Sequence, residues 1–151
     1  MAGYSGTPLT RKLGLRPGLR VELIGLPKDV GILLAKELAE CRTRDDGPGG
    51  LDILLVFERS RAQLACQMAR ATVALAPDGV VWAAWPKLGS GVESELRESV
   101  VRELGLASGL VDVKVCAISG VWSGLKFVRR RRDRAVSPAA PVRGTPGARP
   151  R

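Results

Sequence analysis

The chain has 151 residues, of which 45% are hydrophobic and 26% charged. This length and composition are typical of a single globular domain. Histidine is absent, which excludes Ser-His-Asp and Cys-His catalysis, imidazole general bases and histidine-containing zinc sites. The formal net charge is +9, but residues 129–151 carry eight arginines and one aspartate, so they contribute +7 and leave only +2 for the rest.

The cysteines are odd in number and are not spaced in pairs, so we expect small buried hydrophobes and not a disulfide framework. They are Cys41, Cys66 and Cys116. The sequence has no run long and apolar enough for a membrane helix, and no segment with the pattern of a signal peptide. These features favour a cytoplasmic protein without a membrane span, and no residue pattern indicates a metal site.

The N-terminal segment, residues 1–19, is punctuated by glycine and proline. We expect a loop that packs on the main domain and contains one short helical turn, over residues 9–13. Residues 20–24 are apolar and β-branched, and they predict a first strand that ends at Gly25.

A helix is predicted to begin near Pro27, with Asp29 as its N-cap. Its apolar side chains repeat at the spacing of one helix face; they are Val30, Leu33, Leu34 and Leu38. Residues 41–50 have the composition of turns, with a brief edge strand near residues 41–44.

Residues 51–57 form a near-continuous apolar run, which is typical of a parallel strand covered on both faces. Ser60 and Gln63 then form a capping box that predicts the start of a helix. Its apolar side chains are Leu64, Met68, Ala71 and Leu75. The Pro-Asp-Gly sequence at residues 77–79 predicts the end of this helix and a turn of the chain.

A further buried strand is predicted over residues 80–85. The sequence positions of Trp82 and Trp85 differ by an odd number, so their side chains point to opposite faces of the strand. We expect both side chains in the core. Ser90 and Glu93 form a second capping box. The apolar side chains of its helix are Leu96, Val100, Val101 and Leu104.

Two last strands, residues 113–118 and 121–128, are separated by a two-residue turn, which can join only antiparallel neighbours. The whole pattern predicts an α/β fold over residues 20–128. Its features are a mostly parallel Rossmann-like sheet, helices on both faces and a C-terminal antiparallel β-hairpin.

Three segments resemble parts of class I S-adenosylmethionine-dependent methyltransferases: residues 17–21 (PGLRV), 51–55 (LDILL) and 75–82 (LAPDGVVW). The closing hairpin is similar to the C-terminal end of that fold. The resemblance implies an S-adenosylmethionine site.

Such a site needs a glycine-rich first turn and an acid about 20 residues further on. The first turn here has one glycine, Gly25, and Pro27 lacks an amide donor. The acid would have to be Asp45 or Asp46, and residues 57–60 (FERS) replace the motif expected after the central strand. We therefore expect a decayed cofactor site.

Other segments are similar to an uncharacterised actinobacterial family, domain of unknown function 3052. They are residues 2–9 (AGYSGTPL), 85–87 (WPK), 109–118 (GLVDVKVCAI) and 122–128 (WSGLKFV). This resemblance implies a bacterial cytoplasmic protein and supplies no activity.

Open parallel sheets bind ligands outside the carboxyl ends of their strands. The candidate ligand-binding residues at those ends are Gly25, Lys28, Asp29, Glu58, Trp85, Lys87, Ser90 and Gly91. Lys87 supplies a cation, and the amides after Ser90 are expected to open a helix that attracts an anion. The alternative is that Ser90 only caps that helix and Lys87 is solvated.

The C-terminal segment, residues 129–151, is predicted to be a disordered basic tail. Its first arginines, Arg129, Arg130, Arg131 and Arg132, are candidates for binding nucleic acid or an acidic protein. The alternative is a solvated tail without a specific role, and no aromatic residue follows Phe127 to stack on bases. A surface ion pair is also predicted between Asp112 and Lys114.

Three functions follow from the sequence. The first is a non-catalytic binding or regulatory protein, because no nucleophile–base pair or acid pair can be assembled from the strand ends. The second is a small transferase that still binds S-adenosylmethionine or a similar cofactor. The third is a nucleic-acid-associated protein that acts through its arginine-rich tail.

Overall fold

A computed structural model describes residues 8–43 and 49–134, which form a five-stranded sheet with helices on both faces. The elements are α1 (Leu9–Leu13), β1 (Val21–Ile24), α2 (Lys28–Ala39), β2 (Leu51–Phe57), α3 (Arg61–Ala74), β3 (Leu75–Pro86), α4 (Glu98–Ala107), β4 (Leu110–Ala117), β5 (Trp122–Arg129) and α5 (Arg131–Arg134). Predictions for residues 1–7, for Asp45 and Asp46, and for residues 135–151 lie outside the described residues.

The strand order is β1-β2-β3-β5-β4. The first three strands pair in parallel, whereas β5 is antiparallel to both β3 and β4. The sheet is therefore mixed, and the prediction of a mostly parallel sheet is wrong. The predicted C-terminal hairpin is confirmed. Its second strand lies between β3 and β4, so one strand creates two antiparallel pairings.

The chain crosses to the outer side of β1 before it enters β2. Arg42 forms an isolated parallel bridge with Arg20, in which the Arg42 amide donates to Leu19 O at 2.8 Å and the Val21 amide donates to Arg42 O at 2.7 Å. The brief edge strand predicted here is thus reduced to a single bridge. The bridge lies on one side of β1 and β2 lies on the other, so the order of the chain segments reverses at β1. Open α/β sheets form their ligand crevice at such a reversal.

The two faces of the sheet bury separate apolar clusters. On one face, α1 and α2 contribute Leu13, Val30 and Leu34; on the other, α3 contributes Leu64 and Met68. Helices on both faces are therefore confirmed, and each face of β2 is covered, which explains its continuous apolar sequence.

Trp82 and Trp85 lie in opposite clusters, as their spacing predicts. Both are buried, with exposed fractions of 0% and 5%. The indole N–H of Trp82 donates to Leu13 O at 3.1 Å. This bond fastens α1 to the sheet, and it satisfies a polar atom that burial would otherwise leave without a partner.

The start of β3 differs from the prediction. Helix α3 ends at Ala74 and β3 follows at once, so residues 77–79 do not turn the chain back. They lie inside β3, where the pairing with β2 shifts register. A Cβ on Gly79 would lie 2.6 Å from Leu51 O, so the glycine allows the irregular stretch to pass close to β2.

Arg129 belongs to the fold and not to a disordered tail. It is the last residue of β5 and only 7% exposed. Its guanidinium donates to Thr72 O at 2.8 Å and to Leu75 O at 2.5 Å, and more weakly to Ala76 O at 3.4 Å. It thereby binds carbonyl groups at the C-terminal end of α3, where a cation is favoured. The assignment of Arg129 to a partner-binding tail is therefore corrected.

We expect Arg129→Ala to lower the free energy of unfolding by about 1–3 kcal/mol, because the α3 carbonyls lose a buried charged donor. Urea unfolding measures this loss. The control is Arg131→Ala, an exposed position in α5, which should change stability by no more than about 0.5 kcal/mol. Equal losses in the two variants would contradict a buried structural role for Arg129.

Candidate functional site

The carboxyl ends of β1, β2 and β3 meet at one edge of the sheet, where ligands bind in folds of this type. Beside the end of β2, the structure has an open cavity of about 920 Å³. Two segments line it, one leading from β2 into α3 and the other lying between β3 and α4. Their lining residues are Glu58, Arg59, Ser60, Gln63, Val92, Glu93, Ser94 and Glu95.

Among the eight candidate ligand-binding residues, only Glu58 lines this cavity. It follows β2 directly, and its amide donates to Ala84 O at 3.1 Å, so its position is set by the end of β3. The other lining residues were not predicted as ligand-binding residues. The available signal is the acidic sequence at 93–95, but the capping-box spacing of Ser90 and Glu93 predicts a helix there.

Hydrogen bonds hold the segment before α4 against the start of α3. The Glu95 amide donates to Arg59 O at 2.8 Å, and the Ser94 hydroxyl donates to the same oxygen at 3.3 Å. The Leu96 amide donates to Ser94 Oγ at 2.9 Å, and the Leu96 side chain is buried in the core. Backbone and side-chain hydrogen bonds, together with the buried Leu96 side chain, therefore hold this wall of the cavity in place.

The N-terminus of α3 is satisfied by the protein's own side chains. Ser60 caps the helix as predicted, its Oγ accepting from the Gln63 amide at 3.2 Å. Glu95 Oε1 accepts from the Arg61 amide at 2.8 Å. A helix N-terminus favours negative charge, and here the carboxylate of Glu95 occupies that position. An anionic ligand group would have to compete with it.

The turn after β1 brings Gly25 against the end of β2. Gly25 has φ +67°, and a Cβ at this residue would lie 2.5 Å from Phe57 O. The glycine is thus required for packing of the chain against itself. Pro27 is extended and α2 begins at Lys28 without a side-chain cap. The prediction that Asp29 caps this helix is therefore wrong: Asp29 lies, like Lys28, exposed in the first turn.

The third strand end lacks the helix start at Ser90 on which the predicted anion site depends. Residues 87–97 are a loop, and α4 begins at Glu98. The predicted capping box at Ser90 is wrong, because Ser90 Oγ accepts from the Val92 amide, at 3.3 Å, and not from the amide of Glu93. Gly91 has φ +89°, a conformation that does not continue into a helix.

The remaining two candidates at this end have structural positions. Trp85 is buried in the core beside Leu96. The Lys87 amide donates to Val121 O at 2.7 Å, which links the end of β3 to the hairpin turn.

The described residues do not fit S-adenosylmethionine bound across this edge. Phe57 O occupies the space next to Gly25 that a ligand would need. Pro27 has no amide hydrogen to donate. The carboxylate of Glu95 already binds the N-terminus of α3. The cavity itself carries three carboxylates against one guanidinium, so it offers little positive charge to the carboxylate of the cofactor.

Neither protein-family models nor curated protein sequences match the chain. Solved structures do. A type 11 methyltransferase described as putative, from Sulfolobus solfataricus, superposes with a TM-score of 0.53 over 81% of this chain and 89% of its own, at 15% identity. A SAM-dependent methyltransferase from Aquifex aeolicus superposes with a TM-score of 0.55 over 79% and 86%, at 10% identity.

A third structure is the 1,6-didemethyltoxoflavin-N1-methyltransferase of Burkholderia thailandensis with bound S-adenosylhomocysteine, with a TM-score of 0.53 over 80% of this chain and 74% of its own, at 16% identity. The chain has a methyltransferase-like fold. Identities this low establish the fold alone. Within residues 8–43 and 49–134, no helix is long and apolar enough to cross a membrane.

We expect Gly25→Ala to be more destabilising than Gly89→Ala. Both glycines have positive φ, which costs an alanine about 1–2 kcal/mol. A Cβ at Gly89 meets no atom within 4 Å, whereas one at Gly25 collides with Phe57 O, which adds about 1–3 kcal/mol. Thermal unfolding of both variants measures the difference. Equal losses would contradict the packing role of Gly25.

Removing the Glu95 carboxylate should open the α3 N-terminus. We expect Glu95→Ala to lower the free energy of unfolding by about 0.3–1 kcal/mol. Sulfate stabilises folded proteins in general. We expect it to stabilise Glu95→Ala more than the unmodified protein, because sulfate can bind at the vacated α3 N-terminus. The control is Glu93→Ala, which lines the same cavity. Chemical unfolding in sulfate and in chloride of equal ionic strength measures both. The same sulfate gain in all three proteins would contradict the assignment.

Proposed function

We propose that this chain is a non-catalytic binding or regulatory protein whose methyltransferase-like cofactor site has decayed. The observation that carries the proposal is the contact between Glu95 and the α3 N-terminus, where a carboxylate of the protein takes the place of a ligand's acidic group. Part of the proposal is that the chain is a bacterial cytoplasmic member of the family designated domain of unknown function 3052.

The cavity beside α3 is the proposed ligand site. Glu58, Glu93 and Glu95 give it an excess of hydrogen-bond acceptors over the single guanidinium of Arg59. A small ligand with amine or hydroxyl donors complements this lining, whereas a phosphate does not.

The lining residues support binding more than catalysis. The two serine hydroxyls are both engaged by the backbone: Ser60 Oγ accepts from the Gln63 amide, and Ser94 donates to Arg59 O. Within residues 8–43 and 49–134, neither forms a hydrogen bond with a base that would activate it as a nucleophile. The geometry therefore favours recognition of a polar molecule without a covalent step.

A second candidate is an S-adenosylmethionine-dependent methyltransferase. It is favoured by the likeness to methyltransferase structures, one of which holds S-adenosylhomocysteine. On this hypothesis Glu95 would leave the α3 N-terminus when the cofactor binds. A third candidate is nucleic-acid association through the arginine-rich tail. It would depend on Arg130, Arg131 and Arg132, because the Arg129 guanidinium is hydrogen-bonded to α3.

Thermal unfolding with added ligands separates these functions. We expect no stabilisation by S-adenosylmethionine or S-adenosylhomocysteine, and an increase in Tm with amine probes such as agmatine or spermidine. A ligand at 100 times its Kd adds about 2.7 kcal/mol. The increase should disappear in Glu58→Gln/Glu93→Gln and persist in the control Glu37→Gln/Glu40→Gln, which removes two charges from the C-terminal end of α2.

Stabilisation by an S-adenosyl compound would overturn the ranking in favour of the methyltransferase. An unchanged Tm with every amine probe would overturn the proposed cavity chemistry.

A further inference from the structure

Two lysines face each other across the closing hairpin. Lys114 of β4 and Lys126 of β5 are direct partners in the antiparallel ladder. Like charges at such a position destabilise a sheet. Lys114 is exposed and Lys126 half-buried. Burial lowers the pKa of Lys126, and the charge of Lys114 lowers it further.

A third lysine lies close to this pair. Burial raises the pKa of the Cys116 thiol, and the charges of Lys12 of α1 and of Lys114 both oppose this increase. Helix α1 is fastened to Trp82, and Trp82 is the ladder partner of Lys126. Lys12, Lys114 and Lys126 therefore form one cluster, which we call the basic face, on the side of the sheet that carries α1.

The basic face lies on the side of the hairpin opposite to α4. Helix α4 packs on the opposite side, where Phe127 lies directly against Gly105. On the α1 side, side-chain alternation places Val128 beside Lys126, and Val111 is its partner in β4. Both valines are only partly buried.

Two arginines elsewhere in the fold are paired with carboxylates. Arg70 binds Glu22 through two hydrogen bonds of 3.1 and 2.7 Å. Asp112 pairs with Arg102 at 3.0 Å on the α4 side, and the ladder shifts register between Asp112 and Lys114. The predicted Asp112–Lys114 ion pair is therefore wrong. Among the described residues, no carboxylate forms an ion pair with Lys114 or Lys126.

We propose that the basic face binds the phosphate backbone of a nucleic acid. A cross-strand pair of like charges costs stability, and such a local cost without an internal compensation is typical of a functional surface. Phosphates would place negative charge opposite Lys114 and Lys126. Strand β5 also leads directly into Arg130, Arg131 and Arg132, which extends the positive charge beyond the hairpin.

The surface suits nucleic acid better than a membrane. Binding to a lipid surface usually needs an amphipathic helix with large apolar side chains as well as cations. The basic face is a sheet surface, and its exposed charged group is Lys114. It is also separate from the cavity beside α3, so the proposal does not depend on the function proposed for that cavity.

Salt-dependent binding of the full chain tests the proposal. A fluorescein-labelled oligothymidylate and a labelled DNA duplex are titrated by fluorescence anisotropy between about 50 and 200 mM salt. For Lys114→Gln/Lys126→Gln, the slope of log K against log salt should become shallower by about 1.4 on the single strand or about 1.8 on the duplex, since each phosphate contact contributes about 0.7 or 0.9.

The control Lys36→Gln/Arg97→Gln removes the same charge from exposed positions in α2 and before α4, and its slope should equal that of the unmodified chain. Lys114→Gln alone changes an exposed side chain and should reduce the slope by half as much. This single variant therefore tests the proposal even if the double variant unfolds. We expect the double variant to melt no lower than the unmodified chain, because a repulsion is removed.

An identical slope in the unmodified and double-variant chains would assign any binding to the arginines after β5 and overturn the proposal. Absence of binding to both DNA probes would also overturn it. Tighter binding to phosphatidylserine vesicles would favour a membrane instead, and full competition by poly-glutamate at equal charge would favour an acidic protein.

Discussion

The antiparallel strand β5 is the element on which the rest of the structure depends. Its backbone pairs with β3 on one side and β4 on the other, so it joins the parallel part of the sheet to the edge strand. Its side chains serve both faces: Phe127 packs against Gly105 of α4, and Lys126 belongs to the basic face. At its end, Arg129 binds the carbonyls that close α3. Loss of β5 would therefore open the sheet, uncover α4 and release the end of α3 together.

Local pattern was sufficient for the elements whose signal is contained in their own residues. The apolar run of β2 predicted a strand covered on both faces, and two clusters cover it. Ser60 caps α3 as its spacing with Gln63 predicts. The strand order was not encoded locally. A hairpin turn specifies which two strands are neighbours, but it does not specify that β5 also pairs with β3.

The errors have a common physical cause, which is that one short pattern is compatible with two backbone conformations. Ser90 and Glu93 have the spacing of a capping box, but the positive φ of Gly91 prevents a helix there. The arginine run after Val128 has the composition of a solvated tail, yet its first member is buried by carbonyls more than 50 residues earlier in the chain. In the candidate site, Glu95 was missed because its partner, Arg61, lies 34 residues away. Gly25 is a candidate ligand-binding residue from the sequence, whereas in the structure it allows the turn after β1 to approach Phe57 O.

The two proposed binding regions differ in charge, and this difference separates their ligands. The cavity beside α3 has three carboxylates and one guanidinium, whereas the basic face has three lysines. A phosphate chain held at the basic face is repelled from the cavity, and a cationic small molecule is repelled from the basic face. The cavity and the basic face have no residue in common. A methyltransferase-like fold can in this way present two surfaces of opposite charge, of which the proposals assign one to a small donor-rich molecule and the other to a polyanion.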